Sequence, residues 1–228
     1  MTAGKRIYYW NICNHWVRSK SSIMNIAIIG TGNIGGALGR SWAKAGHKIH
    51  LGVRDTANFK GKELAGVQGV SVHPIADAVK ASEVILIAAV PQATADIVRA
   101  MGDVSGKVII DAMNSVRMKP EGYNNTFDAL VDLAKGAEIA KCFNSTGFEN
   151  MADPLYPNNV HLDMYMAGDS KRAKEVAKQL ALDAGFGECY DFGGNDKEGL
   201  LESFALCWIN LAIIQGQGRN IGFKIVKR

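Results

Sequence analysis

Residues 24–46 constrain the fold more than any other stretch of the chain. Four apolar residues, Ile26 to Ile29, form a run short enough for a fully buried parallel strand. Gly30-Thr31-Gly32-Asn33-Ile34-Gly35 follows at once, and then an apolar stripe at Ile34, Leu38 and Trp42 that repeats as one face of a helix does. Each glycine has its own task in such a strand-turn-helix unit. Gly30 takes the tight turn, Gly32 lets the backbone approach a pyrophosphate, and Gly35 lets the helix lie close on the sheet. Unpaired N–H groups at the helix start then favour a phosphate, and Gly46 closes the helix. A glycine triplet in a loop means little alone; between a buried strand and an amphipathic helix it points to a dinucleotide.

The rest of the sequence repeats the alternation. Strands are expected at 48–53, 70–72, 83–90, 107–110, 138–143, 161–167 and 188–192, with helical segments at 60–67, 75–81, 91–101, 127–134 and 172–184 between them. This pattern predicts an α/β chain with a doubly wound, mostly parallel sheet. A C-terminal helix is expected from Asp196 to about Gly216, with Leu200, Phe204, Cys207, Trp208, Leu211 and Ala212 on one broad apolar face. That face predicts a core contact or a homodimer interface. Residues 1–23 have neither periodicity and are read as a poorly ordered N-terminal extension, leaving 24–228 as the folded domain.

Charge and cysteine content exclude several classes of function. Of 26 Lys and Arg, four lie in residues 1–23, where there is no acid, so the remainder balances 22 basic against 22 acidic residues. A neutral domain offers no groove for nucleic acid. The longest apolar run, Phe204 to Ile214, is too short to span a bilayer. Four cysteines lie far apart with no C-x-x-C pair, and the five histidines lack metal-ligand spacing, so a reduced, cytoplasmic protein with no metal is expected.

Ligands in an open parallel sheet lie beyond the carboxyl ends of the strands, at the point where the strand order reverses. The expected cofactor-binding residues are therefore Gly30, Thr31, Gly32, Asn33, Ile34 and Gly35 after the first strand, and Val53 and Arg54 after the second. Val90 and Pro91 follow the fourth, and Ala112 and Asn114 the fifth. The second-strand end chooses the cofactor. Arg54 pairs with a 2′-phosphate, which favours NADP(H), whereas Asp55 is the competing signal for NAD. Weaker candidates for the substrate are Arg117, Lys119, Asn144 and Phe148, on two long loops at 111–125 and 144–159. Arg117 and Lys119 suit an anionic tail, and Phe148, Met151 and Tyr156 suit the cover of a planar ring. No acid–base pair presents itself, so no catalytic side chain is assigned; hydride transfer needs none.

Ile28-Ile-Gly-Thr-Gly-Asn-Ile-Gly-Gly36, Gly52-Val-Arg54, Ala89-Val-Pro91 and Lys141-Cys-Phe-Asn-Ser145 together resemble the NADPH-dependent reductases of the deazaflavin coenzyme F420. That group is related to the amino-terminal domain of pyrroline-5-carboxylate reductase and to the cytosolic domain of the STEAP metalloreductases. The resemblance implies a Rossmann-type fold, Thr31, Asn33 and Ile34 at the pyrophosphate, Arg54 at the 2′-phosphate and Val90-Pro91 beside the nicotinamide. It also implies a deazaflavin or flavin-like co-substrate that takes hydride directly from NADPH. Only Arg54 is basic after the second strand, where such proteins carry a richer turn. The C-terminal segment is too short for a pyrroline-5-carboxylate reductase, and membrane helices for haem are missing. Two other functions remain open, an NADP(H) sensor without turnover and a reductase of a small imine or keto acid.

Overall fold

The computed structural model describes residues 22–228. The extension expected at 1–23 falls almost wholly outside the described residues, and Met24 already packs into the core. β1 (Asn25–Ile29) leads into α1 (Asn33–Ala45), closed by Gly46 in the left-handed conformation with φ 102°. Then come β2 (Lys48–Val53), a 3-10 turn at Lys62–Gly66, β3 (Val70–Pro74), α2 (Ile75–Lys80) and β4 (Val84–Ile87). A Pro91–Ala93 turn starts α3 (Thr94–Met101), followed by β5 (Val108–Asp111), α4 (Thr126–Leu133) and β6 (Glu138–Cys142).

These first six strands lie in the order β3-β2-β1-β4-β5-β6, every neighbour parallel. The order reverses between β1 and β4, so a crevice opens beyond their carboxyl ends. Alternate strand residues feed two cores. Ile26, Ile28, Leu51 and Ile110 join the cluster that holds Leu38 and Trp42 of α1, whereas Ala27, Ile29, Ile85 and Ile109 join that of α2, α3 and α4. The near-continuous apolar strands seen in the sequence are what two covered faces require.

The last third departs from strict alternation. α5 (Phe148–Ala152) and a small hairpin, β7 (Leu155–Tyr156) with β8 (Val160–His161), occupy the region expected to be a long loop. β9 (Met164–Ala167) then runs antiparallel to β6, and β10 (Cys189–Asp191), reached through α6 (Lys171–Asp183), runs parallel to β9. The carboxyl ends of β9 and β10 thus point away from the crevice. The sheet is doubly wound and mostly parallel, with one antiparallel step.

α7 (Glu198–Ile209) is shorter than the expected helix and continues as a π turn, Asn210–Ile214. Of the expected apolar face, Trp208 and Ala212 are buried, Phe204 is half-buried, and Leu200, Cys207 and Leu211 are exposed; Leu201 and Ala205 are buried with Trp208, and Leu206 and Ile214 are exposed. The chain end returns beneath it, where Trp208 Nε1 donates to Ile221 O at 2.7 Å.

Candidate nucleotide and acceptor site

The turn off β1 allows nothing larger than glycine. Gly30 has φ 96°, and a Cβ there would stand 2.3 Å from Ala88 O. A Cβ on Gly35 would stand 2.1 Å from Gly30 O, so α1 lies directly on the turn. Gly32 differs: a Cβ there would meet only Lys60, at 3.9 Å. Its missing side chain leaves space above the backbone rather than relieving a clash. Gly32 is also the N-cap of α1, with no side-chain cap and no acidic residue in the first turn. The amides of that turn remain available to an anion.

A cavity of about 1170 Å³ opens here. Its floor is the glycine turn, one wall is Gly52-Val53-Arg54, and the other is Ala88-Ala89-Val90 with Ala93 of the following turn and Ile97 of α3. The volume slightly exceeds the usual range for small-ligand sites, as an extended dinucleotide requires. Of the expected residues, Gly30, Thr31, Gly32, Val53, Arg54 and Val90 line the cavity. Val90 is 57% exposed, an apolar lip on an otherwise open rim. Gly35 packs below the cavity, Asn33 is exposed and Ile34 packs on the core. Pro91 is buried beside the lip, where its carbonyl accepts from Thr94 Oγ1 at 2.7 Å.

Several lining residues, Asp96 of α3 among them, were not singled out from sequence. Asn58, Phe59 and Lys60 belong to a loop that folds back over the glycine turn, where Thr31 Oγ1 donates to Lys60 O. This brings Lys60 to the space above Gly32, a second cation beside Arg54. Asp55, the competing signal for NAD, accepts from Ala57 N at 2.8 Å and Asn58 N at 3.3 Å. Its Oδ1 therefore serves its own loop as an Asx turn.

Ala112 and Asn114 lie one strand further along, outside the cavity lining. Here the structure contains a charge cluster that sequence reasoning missed. Lys141 of β6 is fully buried, with Nζ 3.0 Å from Asp111 Oδ2 and 3.1 Å from Glu202 Oε1 of α7. Nζ also donates to Met113 O at 2.9 Å. Burial alone would pull the Lys141 ammonium down, but Asp111 and Glu202 outweigh it and raise its pKa. Asp111 further accepts from Met113 N and Thr126 Oγ1, and Glu202 accepts from Ser115 N at 2.9 Å. A Lys inside the otherwise apolar run 139–143, and an Asp closing the apolar run 108–110, were the signals available in the sequence.

Glu198, one turn before Glu202, is pushed up to about 7, first by desolvation and then by Glu202, Asp128 and Asp111, against the pull of Lys141. Its Oε2 accepts from Asn125 Nδ2 at 3.1 Å, and its Oε1 has no partner among the described residues.

Asn114 and Asn144 form a pair. Asn144 Nδ2 donates to Asn114 Oδ1 at 3.0 Å, and Asn114 Nδ2 donates to Asn144 O at 2.9 Å. Asn144 is buried and Asn114 half-buried. Arg117 and Lys119 are exposed on the 112–125 loop, whose Met118 contacts Gln92. Phe148 is half-buried beneath the Arg219 guanidinium. Met151 turns fully into the core, and Tyr156 packs on it with its hydroxyl 2.7 Å from Asn150 Oδ1, so neither is free to cover a planar ring. Among the described residues no group of three or more His, Cys, Asp or Glu can hold a metal ion, and no helix is long and apolar enough to cross a membrane.

Residues 25–115 match the family model described as NADP oxidoreductase coenzyme F420-dependent. The resemblance drawn from the motifs is borne out over that segment. No curated protein matches the sequence. Among solved structures, a proposed F420-dependent NADP-reductase from Arthrobacter sp. FB24 superposes with a TM-score of 0.79 at 22% identity, over 90% of this chain and 100% of that one. A hypothetical protein from Sinorhizobium meliloti gives 0.66 at 22% identity, over 91% and 97% of the two chains. A reductive aminase from Aspergillus terreus, solved with NADPH and ethyl levulinate, gives 0.63 at 20% identity; 86% of this chain covers 64% of that protein. At these identities the structural likeness establishes the Rossmann-type fold.

Proposed function

We propose that this chain, whose residues 25–115 carry the signature of the F420-dependent NADP oxidoreductases, is a reductase that uses NADPH and a flavin-like acceptor of the deazaflavin type. The single observation that carries the cofactor is that Arg54 and Lys60 both line the cavity, with one carboxylate oxygen of Asp55 engaged by its own loop. Two cations lining the same cavity suit a 2′-phosphate better than a bare ribose. The open backbone at Gly32 and the uncapped first turn of α1 would hold the pyrophosphate. Val90 would shield the reacting ring from water on its apolar side.

The dinucleotide, when bound, supplies the hydride. The chain's own residues bind it, orient it and leave room for a second planar ring. Direct transfer requires no protein nucleophile. Reduction of an imine or keto acid instead requires a proton donor at the acceptor. The carboxyl closest to that task in pKa is Glu198, and its partnered oxygen is engaged by Asn125 at the start of α4.

Anaerobic NADPH oxidation against a deazaflavin, a flavin, a ferric chelate and a pyrroline carboxylate tests the reading. The deazaflavin is expected to be fastest. Turnover with the pyrroline carboxylate alone would move the function to imine reduction, and tight NADPH binding with no turnover would leave a sensor.

A further inference from the structure

The turn that follows β5 is held by charged groups from three elements, none of which lines the cavity. Met113 N ends on Asp111, Met113 O on Lys141, and Ser115 N on Glu202. The far end of the same loop is tied back as well, where Thr126 N donates to Ser115 Oγ at 3.0 Å. A buried Lys between two carboxylates adds little stability over an apolar trio of equal volume. What it does supply is direction, because each of its three ammonium hydrogens meets a different acceptor.

The half-exposed polar side chain in this turn is Asn114, and its amide is held in one orientation by Asn144. After those two bonds, Asn114 retains one N–H and one carbonyl lone pair for a ligand. Asn144 is itself fixed, since its Nδ2 donates to Leu201 O of α7 at 3.2 Å. The residue before it, Phe143, has φ 61°, a left-handed backbone unusual for an aromatic residue, and its ring packs edge-on against Trp42 at 5.5 Å. Such a conformation persists where its surroundings over-determine it, and it is common beside ligands. Two independent ties, Glu202 to Ser115 and Leu201 to Asn144, therefore run from α7 to the two sides of Asn114.

We infer that Lys141 and Glu202 are positioning residues for the nicotinamide end of the dinucleotide, holding the Asp111–Ser115 turn so that Asn114 meets the carboxamide. This rests on the dinucleotide reading above. It assigns α7 a part in ligand placement although α7 is remote from the glycine turn.

The test compares NADPH with adenosine 2′,5′-bisphosphate, which ends before the nicotinamide, on native protein, Glu202→Ala and Glu202→Gln. Removing the acceptor of Ser115 N–H should raise the Kd of NADPH about tenfold and leave that of the bisphosphate within about twofold. The glutamine keeps an acceptor oxygen and should bring NADPH back to within about threefold of native. Should the alanine variant not fold, Glu202→Asp, one methylene shorter, carries the same expectation. Equal loss for both ligands, or loss for neither, overturns the positioning role. Native protein that binds neither ligand overturns the dinucleotide reading itself, and the positioning role with it.

Discussion

Arg54 and Lys60 differ in how they reach the same cavity. Arg54 follows β2 directly, whereas Lys60 arrives because its backbone is held by Thr31. A charge-assisted bond to phosphate contributes about 1.5–3 kcal/mol. Arg54→Ala should therefore weaken NADPH by about one to two decades and leave NADH almost unchanged, as isothermal titration would report; equal loss for both would return the choice to Asp55. Glu198 makes a second prediction at this scale. Its carboxyl is raised from 4.5 to about 7, so the fold holds that proton more tightly than the unfolded chain does. The group's contribution to stability is complete below pH 4.5, falls as pH rises toward 7, and is absent above. Subtracting the melting profile of Glu198→Gln from that of the native protein should give a difference that declines across this interval. A difference flat in pH would mean that Glu198 ionises normally.

At the scale of elements, the glycine turn was legible in the sequence because strand, turn and helix each leave a local mark. Gly30, Gly32 and Gly35 fall where the motif requires, and β2 ends at Val53 as read. Lys60 was not legible, because its place depends on a loop crossing over a turn 29 residues earlier. The Lys141 cluster was hidden for the same reason: its partners, Asp111 and Glu202, lie in different elements, and no local period joins them. The 144–159 loop misled because Phe148–Ala152 is a helix of one turn or so, too short to show a stripe. The 112–125 loop remains the element on which an anionic acceptor tail would act. Its ends are fixed by Asp111, Glu202 and Thr126, and Arg117 and Lys119 are exposed on either side of Met118. Replacing both with alanine should raise the acceptor KM several-fold, by about 1 kcal/mol, with kcat and NADPH affinity nearly intact. An unchanged KM for every anionic acceptor would make them solvated loop charges.

At the scale of the whole molecule, α7 and its π turn expose an apolar surface among the described residues. Leu200, Leu206 and Ile214 of α7 and its π turn are 54%, 46% and 70% exposed, while Trp208, placed on one face with Leu200 in the sequence reading, is inside. A homodimer through this face is therefore tested by Leu206→Glu, which leaves the core intact, rather than by a change at Trp208. Light scattering should give a dimer for the native chain and a monomer for the variant; a native monomer at micromolar concentration would refute it. The central claim concerns the reaction that the crevice between β1 and β4 supports. It is tested most directly with NADPH carrying deuterium at the transferable C4 position, incubated with a deazaflavin and the protein. Direct transfer between two stacked rings predicts the deuterium in the reduced acceptor, carried from one face of the nicotinamide only. Deuterium lost to water, or no oxidation of bound NADPH, would contradict it.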